Sequence, residues 1–145
     1  MFIATLGYIG KLPKAPGTFG TLATLPLCYL VMELGLSVHI LVTVLVTVVG
    51  VWAANVAVKV IGQEDPSQVV VDEAAGILLT LIAAPSGWLW FGVGFVLFRL
   101  FDIWKPWPVG WLDKNLKGGL GIMADDIAAG IYAFLFLNLF SWLMR

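Results

Sequence analysis

Ser37 to Val58 reads SVHILVTVLVTVVGVWAANVAV, without one Asp, Glu, Lys or Arg. A run of about 20 apolar residues crosses the hydrocarbon core of a bilayer as a helix, and helix is one of only two structures that satisfy every backbone polar group there. Ser37 is the expected N-cap. Four more stretches of this character accompany it: Thr18 to Leu36, interrupted by Pro26; Val69 to Pro85; Trp88 to Trp104; and Leu120 to Leu143. The sequence therefore predicts an all-α, polytopic membrane bundle of about five membrane helices, in a single domain over residues 1–145. The third and fourth stretches are short and joined tightly at Pro85-Ser86-Gly87, so they read either as full spans or as a re-entrant hairpin. Phe2 to Ile9 is too short to span, lacks the basic stretch and cleavage site of a signal peptide, and is expected to lie in the interface.

Composition agrees with this reading and excludes others. Of 145 residues, 61% are apolar and 12% are charged, against roughly 25% charged in a soluble domain. A soluble sphere of this size has too little interior for so much apolar surface. The net charge of −1 and the absence of basic clusters give nucleic acid nothing to hold. A lone Cys28 makes neither an internal disulfide nor a cysteine-rich metal site. No internal repeat suggests an inverted-repeat transporter.

Assigning the joints alternately to the two faces places Lys11, Lys14, Lys59, Lys105, Lys114 and Lys117 on one face, with Arg99 close to it, and leaves Arg145 on the other. The positive-inside rule makes the basic face cytoplasmic, and a re-entrant hairpin leaves that result unchanged. Trp104, Trp107 and Trp111 at one boundary, and Trp88, Trp90 and Trp142 at the other, read as aromatic belts.

Carboxylates near hydrocarbon are costly and seldom kept without a role. Asp72 and Glu73 open the third stretch, Asp102 closes the fourth, and Asp125 and Asp126 lie about 8 Å inside the fifth at 1.5 Å per residue. All five fall at the cytoplasmic ends of their helices. Plainer accounts exist: favourable placement at a helix N-terminus for Asp72 and Glu73, and interhelical salt bridges to Arg99 or Lys105 for Asp125 and Asp126. Arg99 and Asp102, three residues apart, share a helix face. Pro106 disfavours helix at Lys105, which should sit at the helix end, free to reach a ligand. A snorkelling anchor pair is the alternative.

Two glycine-rich segments precede helices. Lys14, Gly17, Thr18 and Thr21 surround the first helix start, and Gly118 and Gly119 open the fifth. Such entries let backbone N–H groups approach an anion, although Gly20 and Gly130 read equally well as helix-packing positions. Together these residues describe a cytoplasm-facing pocket at membrane depth. Its carboxylates, without His or Cys, suit Mg²⁺, and Mg²⁺ with Arg and Lys holds phosphate. At a lipid boundary that implies a phosphate head on acyl tails.

Four blocks then carry a family resemblance: Lys14-Ala15-Pro16-Gly17-Thr18-Phe19-Gly20-Thr21-Leu22; Val71-Asp72-Glu73 with Gly76; Phe98 to Pro108; and Gly118 to Gly130, containing Asp125-Asp126. In order and spacing they resemble the signature blocks of the bacterial phosphatidylglycerophosphatase A family, with Thr21 where that family often has serine. The resemblance implies a Mg²⁺-dependent phosphatase of the inner membrane that converts phosphatidylglycerophosphate to phosphatidylglycerol. Cys28 has no arginine-bearing loop, His39 lies away from the acids, and no Asp-x-Asp-x-Thr motif is present. Cysteine, histidine and soluble aspartyl-phosphate mechanisms therefore drop out. Metal-assisted hydrolysis remains, with Arg99 and Lys105 on the phosphoryl oxygens. Asp72, Glu73, Asp102, Asp125 and Asp126 are the candidate metal ligands, one of them in reserve as general base; a carboxylate nucleophile also stays open. A small cation- or proton-coupled transporter and a non-catalytic membrane subunit are the competing functions.

Overall fold

Backbone amides with no water beside them close on one another, and the described residues form helices and turns only. The structure is a computed structural model and describes residues 2–11, 14, 16–63, 66, 69–85 and 87–144. Leu12, Pro13 and Ala15 of the first glycine-rich segment, Ser86 of the hairpin joint and the sidedness of Arg145 lie outside the described residues. After a 3₁₀ turn at Ile9–Lys11 come α1 (Pro16–Leu34), α2 (Leu36–Ile61), α3 (Val71–Thr80), α4 (Trp88–Trp104), α5 (Val109–Asn115) and α6 (Gly118–Leu143).

Three of these helices, α1, α2 and α6, are long and apolar enough to cross a membrane. The third and fourth of the expected stretches form shorter helices. Ten residues of helix in α3 reach only about 15 Å, roughly half the hydrocarbon thickness. At 17 residues, α4 stands at the lower limit of a span. Ser37 is not the N-cap of α2: the helix starts at Leu36, after Gly35. Gly35 has φ 113, a conformation open to glycine and closed to most side chains, so α1 turns into α2 within one residue.

Helix α6 is the centre of the bundle and packs against α2, α3, α4 and α5, while α1 closes the other flank of α3. Cys28 and Val31 of α1, Ile77, Leu78 and Leu81 of α3, Phe98 of α4 and Leu137 of α6 form the buried middle. Two glycines fix how closely α3 meets α6. A Cβ on Gly130 would stand 2.8 Å from the Gly76 carbonyl oxygen, a distance real Cβ atoms do not tolerate, so the two backbones touch there as small residues allow. Gly76 lies one turn beyond Asp72 and Gly130 one turn beyond Asp126, so this contact sets the separation of the acids. The N-terminal segment lies across the start of α3. The Ala4 carbonyl accepts hydrogen bonds from the N–H groups of Val70 (2.9 Å) and Val71 (3.1 Å), two donors that helix geometry leaves unmatched at an N-terminus.

Candidate active site

The acids, all expected at one end of their helices, meet there. The starts of α1, α3 and α6 meet the end of α4 around a cavity of about 470 Å³, lined by Gly17, Asp72, Glu73, Arg99, Asp102, Lys105, Asp125 and Asp126 among others. All seven candidate catalytic side chains therefore line one space.

Within it the five acids have two different environments. Asp72, Glu73 and Asp126 present carboxylate oxygens that all lie within 4.8 Å of one another. Asp72 Oδ1, Glu73 Oε2 and Asp126 Oδ2 are buried without a hydrogen-bond partner. Such oxygens are expensive to keep, and three carboxylates grouped this closely fit a hard divalent cation. Asp102 and Asp125 are instead engaged by cations, although Asp125 Oδ1 is also buried without a hydrogen-bond partner. The Arg99 guanidinium donates to Asp102 Oδ2 and lies 3.9 Å from Glu73 Oε1. Lys105 Nζ donates to Asp125 Oδ2 at 3.1 Å and approaches Asp102 Oδ1 at 4.0 Å. The salt-bridge account thus describes Asp125, while Asp126 has no cation partner among the described residues.

Lys105 is the C-cap of α4, with φ 55 and ψ 58. It is not free to swing, because its ammonium is also 3.7 Å from Asp113 Oδ1 of α5. Burial works against the charge, but Asp125, Asp102 and Asp113 outweigh it and hold the ammonium above its ordinary range. Asp113 carried no signal in the sequence. It lies beyond the turn at Pro106 and Pro108, where no periodicity links it to Lys105.

The expected substrate-binding residues separate in the same way. Gly17 lines the cavity beside Glu73. Thr18 and Lys14 are outside the cavity wall among the described residues, and Lys14 is exposed. The buried Thr21 hydroxyl donates to the Gly17 carbonyl at 2.8 Å, a bond within α1. Gly118 and Gly119 face α2: the Gly119 N–H donates to Asn55 Oδ1 at 2.7 Å, so that amide holds helix to helix. Asn55 was invisible in the sequence because its partner is 64 residues away.

Below the acids the polar path ends. Thr43 and Thr47 donate to carbonyls one turn back in α2, and the neighbouring interior is Ile77, Leu78, Phe98 and Leu137. That interior gives the transporter reading no support.

Fold and site together define a helical membrane protein whose carboxylate pocket, armed with two cationic side chains, opens at one end of its helices. The chain belongs to the phosphatidylglycerophosphatase A family, whose model matches residues 2–141. Phosphatidylglycerophosphatase A of Escherichia coli is 44% identical over 123 residues, covering 84% of this chain and 72% of that protein. A Bacteroides thetaiotaomicron protein provisionally named a phosphatidylinositol-3-phosphatase is 41% identical over 143 residues, 93% of this chain and 89% of its own. Phosphatidylglycerophosphatase A of Haemophilus influenzae is 38% identical over 126 residues, 86% and 77% of the two chains. No solved structure matches the chain.

Proposed function

We propose that this phosphatase hydrolyses phosphatidylglycerophosphate to phosphatidylglycerol and phosphate, with Mg²⁺, at the cytoplasmic face of the bacterial inner membrane. The observation that carries the reading is the trio of buried, partnerless carboxylate oxygens on Asp72, Glu73 and Asp126 beside Arg99 and Lys105. Asp72, Glu73 and Asp126 would hold the Mg²⁺; bound there, the ion supplies Lewis-acid polarisation of the phosphoryl group and a more acidic water.

The chain's own residues do the rest. Arg99 offers a planar fork to phosphoryl oxygens, and Asp102 fixes its orientation. Lys105 places a second positive charge where negative charge grows on the phosphoryl oxygens. Placing the site among helix ends keeps the phosphate in the polar boundary, with the acyl tails among the exposed apolar faces of α1 and α4. Phe19, Leu22, Leu100 and Ile103 are such exposed apolar side chains near this end. Sidedness rests on the basic residues: Lys11, Lys59, Lys105, Lys114 and Lys117 all belong to the cavity end of their elements.

The test is phosphate release by purified protein in detergent–lipid micelles, from phosphatidylglycerophosphate and phosphatidylinositol 3-phosphate side by side. The reading expects the higher kcat/KM on phosphatidylglycerophosphate and loss of turnover after EDTA, restored by Mg²⁺. Full activity after exhaustive chelation, or faster turnover of the inositol lipid, sinks it.

A further inference from the structure

Five carboxylates line the cavity and a sixth, Asp113, approaches Lys105 from α5; together they form two trios. Asp72, Glu73 and Asp126 surround no ammonium; the nearest charge, Arg99 Nη1, is 3.9 Å from Glu73 Oε1 and is committed to Asp102. Asp102, Asp113 and Asp125 surround one: Lys105 Nζ, at 4.0, 3.7 and 3.1 Å. An ammonium is a compact point charge: it donates a hydrogen bond to Asp125 and meets Asp102 and Asp113 by charge alone. The three come from the end of α4, from α5 and from α6, so the arrangement is built by the fold and not by one helix face.

Phosphoryl-transfer sites with two metal ions place them about 3.5–4 Å apart, both on carboxylates. Here one of two neighbouring acidic sites already contains a covalently tethered cation and keeps one buried oxygen without a partner, Asp125 Oδ1, whereas in the other all three acids keep one. We propose that Lys105 stands in for a second metal ion, so that the chain binds one divalent cation, at Asp72, Glu73 and Asp126, and that Asp113 is a positioning residue for Lys105. The inference rests on the reading of the first trio as the Mg²⁺ site. It adds the stoichiometry and a role for α5: this short helix brings the third acid to the ammonium.

Metal counting tests this apart from activity. The full chain in detergent is stripped with EDTA, dialysed, and titrated with Mn²⁺ while free ion is followed by electron paramagnetic resonance. Wild type should bind one Mn²⁺ per chain. Lys105→Ala empties the second trio and should bind two, and adding Asp113→Asn should return the count to one. Two ions in wild type, none at all, or a single ion in a folded Lys105→Ala variant would each overturn the proposal. If Lys105→Ala does not fold, the wild-type count still decides the stoichiometry, and Asp113 decides the positioning role. Asp113→Asn should keep one ion and lower kcat/KM about tenfold, and Asp113→Glu should recover most of that loss. An unchanged kcat/KM in Asp113→Asn overturns that part. One ion in a protein that releases phosphate from no lipid leaves this inference standing and removes the functional reading. Two ions in an active enzyme do the reverse.

Discussion

Gly17 leaves room for Glu73: a Cβ on residue 17 would stand 2.7 Å from Glu73 Oε1 and 3.2 Å from Arg99 Nη1. Gly17→Ala should therefore displace the tip of a flexible side chain and leave the helices in place. A displacement on the order of 1 Å at reacting groups costs roughly 10²-fold, so kcat/KM should fall by about that factor while the melting temperature stays near wild type. Steady-state kinetics and a thermal melt on the same preparation check both halves.

Gly130→Ala should behave differently, because the atom its Cβ meets at 2.8 Å is the backbone carbonyl of Gly76. Neither helix yields without moving α3 away from α6. Overpacking of this kind costs roughly 1–3 kcal/mol, and it also separates Asp72 from Asp126. A lower melting temperature together with lost activity is the expected pair of results; a stable, fully active variant would show that this contact does not set the site.

Asp126→Asn keeps size and removes a charge from the trio that has no other cation. Loss of a metal's stabilisation of the transition state is worth several kcal/mol, so kcat should fall by about 10³-fold, with little rescue by excess Mg²⁺. Asp102→Asn, which disturbs the anchoring of Arg99 and one of the three acids around Lys105, should lose less. Equal specific activity in Asp126→Asn and wild type would remove Asp126 from the site.

Arg99→Lys retains the charge and loses the fork that serves Asp102 and the phosphoryl group together. An impairment of roughly 10- to 100-fold in kcat/KM, with folding intact, is expected. A variant with wild-type kinetics would mean that a point charge suffices.

Asn115, exposed at the end of α5, reports sidedness. The native Cys28 is fully buried and should give little background. Asn115→Cys should resist an impermeant maleimide in intact cells and react once the inner membrane is opened. Labelling from outside would reverse the orientation.

The membrane character, the helices and the end of the bundle that carries the acids follow from the linear order of residues. Apolar runs near 20 residues have no other stable state in lipid, and positions three or four apart must share a helix face. That logic groups Asp72, Glu73, Arg99, Asp102, Lys105, Asp125 and Asp126 at one end of the helices, where all seven line one cavity. It left open whether the third stretch spans, because hydropathy over Val69–Pro85 does not reveal that the helix breaks after Thr80. Nor did it find Asn55 or Asp113, whose partners lie across turns of the chain.

Which acids face one another was decided only in three dimensions. Asp72 and Asp126 lie 54 positions apart in the chain, and no spacing rule couples them. Their distance is fixed by Gly76 against Gly130, where two helix backbones meet because neither has a side chain. The same packing brings α5 beneath Lys105 and gives its ammonium to Asp125, Asp102 and Asp113. The sequence determined that acids and cations would share one end of the membrane helices, since that depends on local period and hydropathy. Tertiary packing decided which of them neutralise each other and which keep bare oxygens, since that depends on contacts of a few ångströms between segments distant in the chain.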